Sequence, residues 1–461
     1  MTNRPTGTAG APEPTSARTP LDPSARGSDR ASTRARTRAF ARIPRIPRIP
    51  RIPRGPRTVR SVRRPGRRAL LTCAVWSVWV LTRLAMLWLI LHDTLGVGAV
   101  GREVHGVYRH WYEQLKLGSY PLDDVTWQYP PGAGAVLLFP ALLPWLTYFQ
   151  AFVALALLSD AVITLALAVA GRGPGSSATG VWLWVCGLPL LLHTPLVRYD
   201  VQATALAVLA LLTVRRHPLT GGVLAGLGAM VKVWPALTLL GTPRGRTTRA
   251  AWISAAVGAL ALLGVLALHF SRPLDFLRQQ GGRGVQIESL GGTALSLARL
   301  AGWSGGVEYR YGAFEFTGPH VRDVSLAALS LTASAFCWLL LWRVRAVRWT
   351  TATPFDAALT AVLLFTVTSR VISPQYLIWL LGLAAVCLTS RATTQRPVAL
   401  LLLPATVLSA VGYPVLYLDV MAVTPLGCGV MALRNGLLLA AALLACRRLW
   451  TGTRRGAPGS T

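Results

Sequence analysis

The sequence predicts an all-α, polytopic membrane protein, and three observations carry that prediction. The 461 residues are 52% hydrophobic and only 14% charged, with a mean hydropathy of +0.46; a soluble domain carries about 25% charged residues. Apolar runs of 16 to 24 residues recur along the chain, close to the roughly 20 residues that cross a bilayer as helix. Arginines gather in the short loops between those runs, the pattern expected of loops that stay in the cytoplasm.

The net charge of +30 is unevenly spread. Residues 1–68 hold 18 arginines and three acids, which places +15 in an N-terminal tail. Rich in Pro, Ser, Thr and Gly, residues 1–66 read as disordered. Within them RIPRIPRIPRIPRGPR (42–57) has a period of three, which permits an extended polyproline-like rod with arginines along one edge. Such an edge suits anionic lipid headgroups, and nucleic acid is the weaker reading of the tail's basicity; a merely biased tail is the plainer reading. No cleavable signal peptide is visible, because the first apolar segment is long and lies far from the start. The six cysteines fall in or beside apolar segments and form no CxxC, so they read as small hydrophobes, not as disulfides or metal ligands.

Taken in order, full crossings are expected near 69–92, 149–171, 176–195, 199–214, 250–270, 322–343, 355–370, 375–390, 396–412 and 426–446. Arg172, Arg215–Arg216, Arg244/Arg246/Arg249, Arg343/Arg345/Arg348, Arg391/Arg396 and Arg447–Arg448 then share the cytoplasmic side. The alternation requires that two apolar stretches do not cross. Residues 132–147, interrupted by Pro140 and Pro144, are read as an outer interfacial helix. Residues 218–241, interrupted at Trp234-Pro235, are read as a re-entrant pair. A twelve-crossing count is the alternative, and it leaves several arginines outside. The membrane domain spans 69–446, with a basic cytoplasmic tail at 447–461. Both termini lie inside, and two long loops, 93–131 and 271–321, face outward. The TWQYPP step that closes the first loop places Trp127 and Tyr129 at headgroup level, with Pro130-Pro131 starting the next helix.

Charges at bilayer depth cost about 2.5–3.5 kcal/mol each on insertion scales, so each one needs a partner or a task. Asp160, in ALLSDAVIT, reads as a structural partner inside the bundle. Lys232, in GAMVKVWPAL, reads equally well as a cation snorkelling toward the inner surface. Arg198 and Asp200 flank Tyr199 at an outer helix start, where mutual pairing is the simplest role and sugar binding the more interesting one. Arg370 also lies at the outer face. The first loop carries Glu103, Tyr108, Asp123 and Asp124. The second contains DFLRQQGGRGVQIES (275–289), which sets Arg278, Arg283, Gln286 and Glu288 in a glycine-rich stretch. Guanidinium groups beside exposed backbone N–H groups suit a phosphate. Gln375 follows Pro374 at a helix start, where free N–H groups favour an anion. HExxH, Walker A and zinc-spaced Cys/His patterns are absent from the sequence. The Asp123-Asp124 pair leaves a divalent ion open without demanding one, and no cofactor is expected.

These stretches together resemble the actinobacterial integral-membrane glycosyltransferases of glycosyltransferase family 87. The resemblance rests on EVHGVYRHWYEQL (103–115), TWQYPPGAGAVLLFPALLP (126–144), VRYDVQATALAVLAL (197–211), LAGLGAMVKVWPALTLL (224–240), RGVQIESL (283–290) and SRVISPQYLIWLL (369–381). It implies a GT-C-like helical bundle and an outward-facing active site. It also implies a polyprenyl-phosphate sugar donor, with mannose the family-level expectation, and inversion at the anomeric carbon. The acceptor would be a hydroxyl of a cell-envelope glycolipid or glycan. The family's base is an acid in the first outer loop, typically an Asp four residues before the Tyr of a DxxVY-like stretch. Here Val104 holds that position, so the role is carried to Glu103, with Asp124 and Asp123 as fallback. Tyr108, Tyr129, Arg198, Asp200, Arg278, Arg283, Gln286, Glu288, Arg370 and Gln375 are the candidate substrate contacts. The competing reading is a transporter or flippase for a lipid-linked sugar, which predicts inverted repeats and paired broken helices.

Overall fold

Helices account for most of the chain, and several begin or end where the sequence gives a local reason. The structure is a computed structural model that describes residues 66–98, 100–121, 124–279 and 283–454. The basic tail with its arginine–proline repeat, Asp123 and the side chain of Arg278 lie outside the described residues. In chain order the helices begin with α1 (Arg67–His92), α2 (Arg109–Lys116), α3 (Gly132–Leu138), α4 (Tyr148–Ala170) and α5 (Thr179–Gly187). They continue with α6 (Asp200–Thr213), α7 (Pro218–Val231), α8 (Arg246–His269), α9 (Phe276–Gln279) and α10 (Leu290–Leu300). After α11 (Val321–Arg345) come α12 (Thr353–Thr368), α13 (Tyr376–Leu388), α14 (Arg396–Ala410), α15 (Tyr417–Met421) and α16 (Pro425–Thr453).

Among the described residues, six helical stretches are long and apolar enough to cross a membrane: Ala69–His92, Tyr148–Ala170, Arg246–His269, Val321–Arg345, Arg396–Val415 and Pro425–Thr453. The other four expected crossings correspond to shorter helices. α13, for example, has 13 residues and so rises about 20 Å, short of a ~30 Å hydrocarbon core. It is buried along almost its whole length, in the cluster that also takes Trp184, Val208, Leu359 and Leu402. A helix apolar on every side belongs inside the bundle, and α13 is that helix here. α16 continues through Arg447–Arg448 to Thr453, so residues 447–453 are helix and not tail.

Local chemistry sets the interruptions. Pro235 has no N–H to bond the carbonyl of Val231, and α7 stops at Val231. Lys232 is extended, and a 3-10 turn runs from Trp234 to Leu239. The expected break is therefore present, two residues earlier than the Trp234-Pro235 step itself. Pro140 converts the end of α3 into a 3-10 turn over Phe139–Leu142. Thr147 and Gln150 form a reciprocal capping box that starts α4. Gly222 and Gly226 let α7 lie against α8; a Cβ at either would come within 2.2 and 2.1 Å of the Ala251 and Ala255 carbonyl oxygens. Small residues at helix contacts serve this close approach within membranes.

The arginine-bearing turns meet one another at one end of the bundle. Arg391 Nε donates to the Ser176 carbonyl at 3.2 Å, and Arg215 Nη1 to that of Thr351 at 3.3 Å. Arg343 Nη1 donates to the Leu240 and Thr242 carbonyls, and Val347 N–H to that of Thr453. The two expected outer loops lie at the other end. The second of them holds a small antiparallel sheet absent from the all-α expectation: β1 (Val285–Gln286), β2 (Gly306–Arg310) and β3 (Ala313–Thr317), in the order β1-β3-β2. Val285 faces Phe316, and Glu308 faces Glu315. The strands are two to five residues long, too short to stand out against the surrounding loop pattern. The cysteines are unpaired, as read from sequence, but Cys73, Cys186 and Cys337 are exposed and not buried.

Candidate active site

The first loop enters the site through one irregular helical turn. Arg102 and Glu103 are helical, Val104–Tyr108 form a π turn, and α2 continues from Arg109. Single π turns insert one residue into a helix. Val104 is driven into the core with 0% exposure, whereas the Glu103 side chain keeps 31% and bonds Arg198, Oε2 to Nη2, at 2.7 Å. Arg198 is extended between a 3-10 turn and α6. Its Nη1 donates to the Val197 carbonyl at 2.9 Å, while its buried Nε has no partner among the described residues.

Asp200 opens α6, so its side chain departs in a different direction from that of Arg198. The expected Arg198–Asp200 pairing is replaced by two separate pairs. Asp200 Oδ1 accepts from Lys232 Nζ and from Trp379 Nε1, both at 2.7 Å. The extended conformation at Lys232 carries its ammonium group over aromatic faces. Nζ lies 4.6 Å from the Tyr199 ring centroid, 5.2 Å from Trp379 and 5.7 Å from Tyr129, within cation–π range. Lys232 therefore belongs to this end of the bundle and does not snorkel toward the arginine-rich one. Tyr376 stacks on Trp379 at 3.9 Å, and Trp379 on Trp234 at 5.2 Å, which extends the aromatic cluster around Lys232. The buried Tyr199 hydroxyl bonds nothing among the described residues.

The TWQYPP step lies deeper than an interface belt. Trp127 is only 1% exposed and meets Trp111 edge-on at 5.1 Å. Tyr129 contacts Trp111 at 5.7 Å and Tyr199 at 5.4 Å, because aromatic neighbours on α2 and before α6 remove both rings from the lipid. Asp124 holds the step in place. Its Oδ1 accepts from Thr126 N–H at 2.8 Å and Thr126 Oγ1 at 2.6 Å, and its Oδ2 from Trp111 Nε1 at 2.7 Å. Both oxygens are thus occupied in fixing the loop. Burial raises the Asp124 carboxyl, but the Thr126 and Trp111 bonds prevail and leave it below the ordinary value.

The second loop reaches the same place. Burial and then the Glu103 charge push the Tyr129 hydroxyl up, and Arg283 opposes them, so Tyr129 lies within electrostatic reach of both loops. On β2, Tyr309 is pushed up by burial, Glu103 and Asp124. Arg283 Nη2 donates to the Tyr311 carbonyl at 3.1 Å, and Arg370 Nη1 donates to the Arg283 carbonyl at 2.8 Å. Burial and the neighbouring Arg283 charge lower Arg370 from the ordinary arginine value. Two cations thus share a small space. Glu315 Oε2 accepts from Gly284 N–H at 2.9 Å. Its Oε1 stands 3.9 Å from Arg283 Nε, too far for a hydrogen bond, and neither atom has another partner among the described residues.

Not every candidate joins this cluster. Gln286 Oε1 accepts from Ile372 N–H at 2.8 Å, and Gln286 N–H donates to the Arg370 carbonyl at 3.0 Å; it positions the arginine segment. Glu288 is buried against Arg434 at 3.2 Å, and Asn435 Nδ2 holds the Glu288 and Ser289 carbonyls, which ties the loop to α16. Tyr108 is buried beneath Tyr199 and Trp111. Gln375 is half-buried at the start of α13. Tyr199, Lys232, Glu315 and Trp379 also meet in this cluster and were not among the sequence candidates, whereas Tyr376 follows Gln375 at the same helix start. Of the four, Lys232 carried a signal, a lone lysine in an apolar run. Among the described residues, no three His, Cys, Asp or Glu side chains converge as a metal site.

The family model of glycosyltransferase family 87 matches residues 127–374, more than half of the chain. The chain belongs to that family. It is a membrane glycosyltransferase, mostly helical, with several apolar helices suited to crossing a membrane. No curated protein and no solved structure gives a match. The family 87 match takes in Tyr129, Arg198, Asp200, Lys232, Arg283 and Arg370 and begins after Glu103.

Proposed function

We propose that this family 87 enzyme transfers a hexose, mannose by family expectation, from a polyprenyl-phosphate donor to a hydroxyl of a cell-envelope glycolipid or glycan. In this reading the bundle is GT-C-like with both termini cytoplasmic, and the reaction takes place at the extracytoplasmic face with inversion. The observation that carries the reading is the convergence of Glu103 and Arg198 with Tyr129 and Arg283, from segments far apart in sequence.

Glu103 is the base. In a regular helix the residue four before Tyr108 would stand over it. A π turn adds one residue to the turn, so the residue five before, Glu103, takes that place, and Val104 turns to the core. Glu103 removes the proton from the acceptor hydroxyl as its oxygen bonds the anomeric carbon. The bond from that carbon to the phosphate oxygen breaks, and its electron pair leaves with polyprenyl phosphate. A positioned base contributes typically 10²–10⁴-fold. Arg283 and Arg370 stabilise the negative charge that grows on the phosphate, by charge-assisted hydrogen bonds; a divalent ion is not required for that role. Arg198 holds Glu103 in position. Lys232, fixed by Asp200 among Tyr129, Tyr199 and Trp379, adds positive charge to an aromatic wall suited to a sugar face. The isoprenoid tail runs between apolar helices beside the TWQYPP step.

Membranes containing the protein are incubated with radiolabelled polyprenyl-phosphate mannose, and the linkage of the product is analysed. The expected result is a new glycosidic bond with inverted configuration, lost in Glu103→Gln. Label that crosses vesicles without forming a glycosidic bond would instead establish a transporter.

A further inference from the structure

We propose that the groove between the start of α8 and the end of α11 binds the phosphate headgroup of an anionic phospholipid. This groove lies at the arginine-rich end, away from the candidate active site. The inference does not depend on the proposed sugar transfer.

The groove encloses about 440 Å³ and is lined by Arg244, Thr248, Arg249, Arg343, Leu340 and Val344. Arg343 is braced from within: Nη1 donates to the Leu240 and Thr242 carbonyls at 2.5 and 2.9 Å, and Nη2 to Thr248 Oγ1 at 3.0 Å. Arg244 donates to the Arg343 carbonyl. Among the described residues, none of the three arginines is paired with a carboxylate. Arg343 is occupied by backbone and threonine acceptors, Arg244 bonds a backbone carbonyl, and Arg249 lines the same groove, so the positive charge there has no carboxylate partner among the described residues. Phosphate is the anion whose geometry guanidinium matches best.

The apolar side of the groove distinguishes a lipid from a free phosphate. Leu340 and Val344 are 58% and 69% exposed and lie one turn apart on the same face of α11. They lead from the arginines onto the exposed flank of a candidate membrane span. A soluble phosphate has no use for that wall, whereas an acyl chain does. Basic groups beside an anionic leaflet attract its lipids in this way.

The test uses the full chain in lipid nanodiscs and reads bound lipid by native mass spectrometry after mild extraction. The probes are phosphatidylglycerol and phosphatidylcholine. The wild-type protein should retain phosphatidylglycerol in roughly hundredfold preference, the effect of three basic contacts. Arg244→Gln with Arg249→Gln should reduce that retention roughly thirtyfold, the effect of two basic contacts. Arg343 is left in place because it braces the turn. Equal retention of both lipids by the wild type overturns the proposal, and so does unchanged preference in a double variant that melts like wild type. Glycerol 1-phosphate is added as a competitor; if it displaces the lipid completely, the site recognises soluble phosphate and the lipid assignment fails. Should the glutamine variant not fold, the wild-type lipid preference and the competitor still decide the question.

Discussion

Asp160 in the middle of the bundle and Glu103 at its mouth are both held by an arginine, and their surroundings differ in almost every other respect. Asp160 is 0% exposed and accepts four hydrogen bonds. Arg83 gives two, at 2.7 and 2.9 Å, and Trp79 and Trp184 give one each, at 2.8 and 2.7 Å. The arginine is as buried as the acid, and its Nη1 is used by the Val185 carbonyl. Such a pair has no capacity left for a substrate. Glu103 makes one ion pair and keeps part of its side chain open, and its arginine keeps a buried Nε without a partner among the described residues. Saturation marks a carboxylate that holds helices together. Incomplete saturation on a part-exposed side chain marks one available for chemistry.

The contrast predicts opposite outcomes. Glu103→Gln should lower sugar transfer by about 10²–10⁴-fold and cost less stability than Arg83→Ala, because the amide oxygen can still accept from Arg198. Adding Val104→Asp to Glu103→Ala should not restore transfer, because residue 104 faces the core; recovery to near wild-type rate would break the π-turn register. Arg83→Ala should destabilise by about 3–5 kcal/mol, since it strands a buried carboxylate. That loss is read as reduced folded protein and earlier melting in detergent, and wild-type melting would sink the structural role of Asp160. Arg283→Gln should cut turnover roughly tenfold to a hundredfold, mainly through kcat, because its target charge grows in the transition state. An effect confined to KM would move Arg283 from leaving-group stabilisation to ground-state binding.

The smallest effect concerns Asp124. Its folded-state carboxyl lies below the ordinary value, so its contribution to stability is present above the unfolded value and is lost as pH falls through the folded one. Asp124→Asn should melt slightly earlier than wild type at neutral pH, with the gap closing below about pH 4. Melting curves between pH 3 and 7 check this. A gap that persists into acid would show that the carboxylate charge is not what fixes the TWQYPP loop.

Much of this architecture was legible in the residues. The break after α7 follows from Pro235, the 3-10 turn after α3 from Pro140, and the gathering of arginine turns at one end from loop charge alone. The structural reading of Asp160 was also legible, although its partner was not. Arg83 is an ordinary-looking arginine in a long apolar run, and nothing local says that it reaches α4. The same limit applies at the site. Glu103, Arg198 and Arg370 were identifiable as charges near one face, but Gln286 and Glu288 looked equally available, and the fold turns both inward.

By itself the sequence determined a membrane-embedded helical chain, the places where its helices stop, and the chemical types gathered in two hydrophilic segments. Hydropathy, proline and glycine act within a few residues, so their effects can be read from a few residues. Only the tertiary structure decided which charge meets which: Glu103 with Arg198, Asp200 with Lys232, Glu288 with Arg434. Those choices depend on side-chain direction, and at the π turn it is Glu103, not Val104, that meets Arg198.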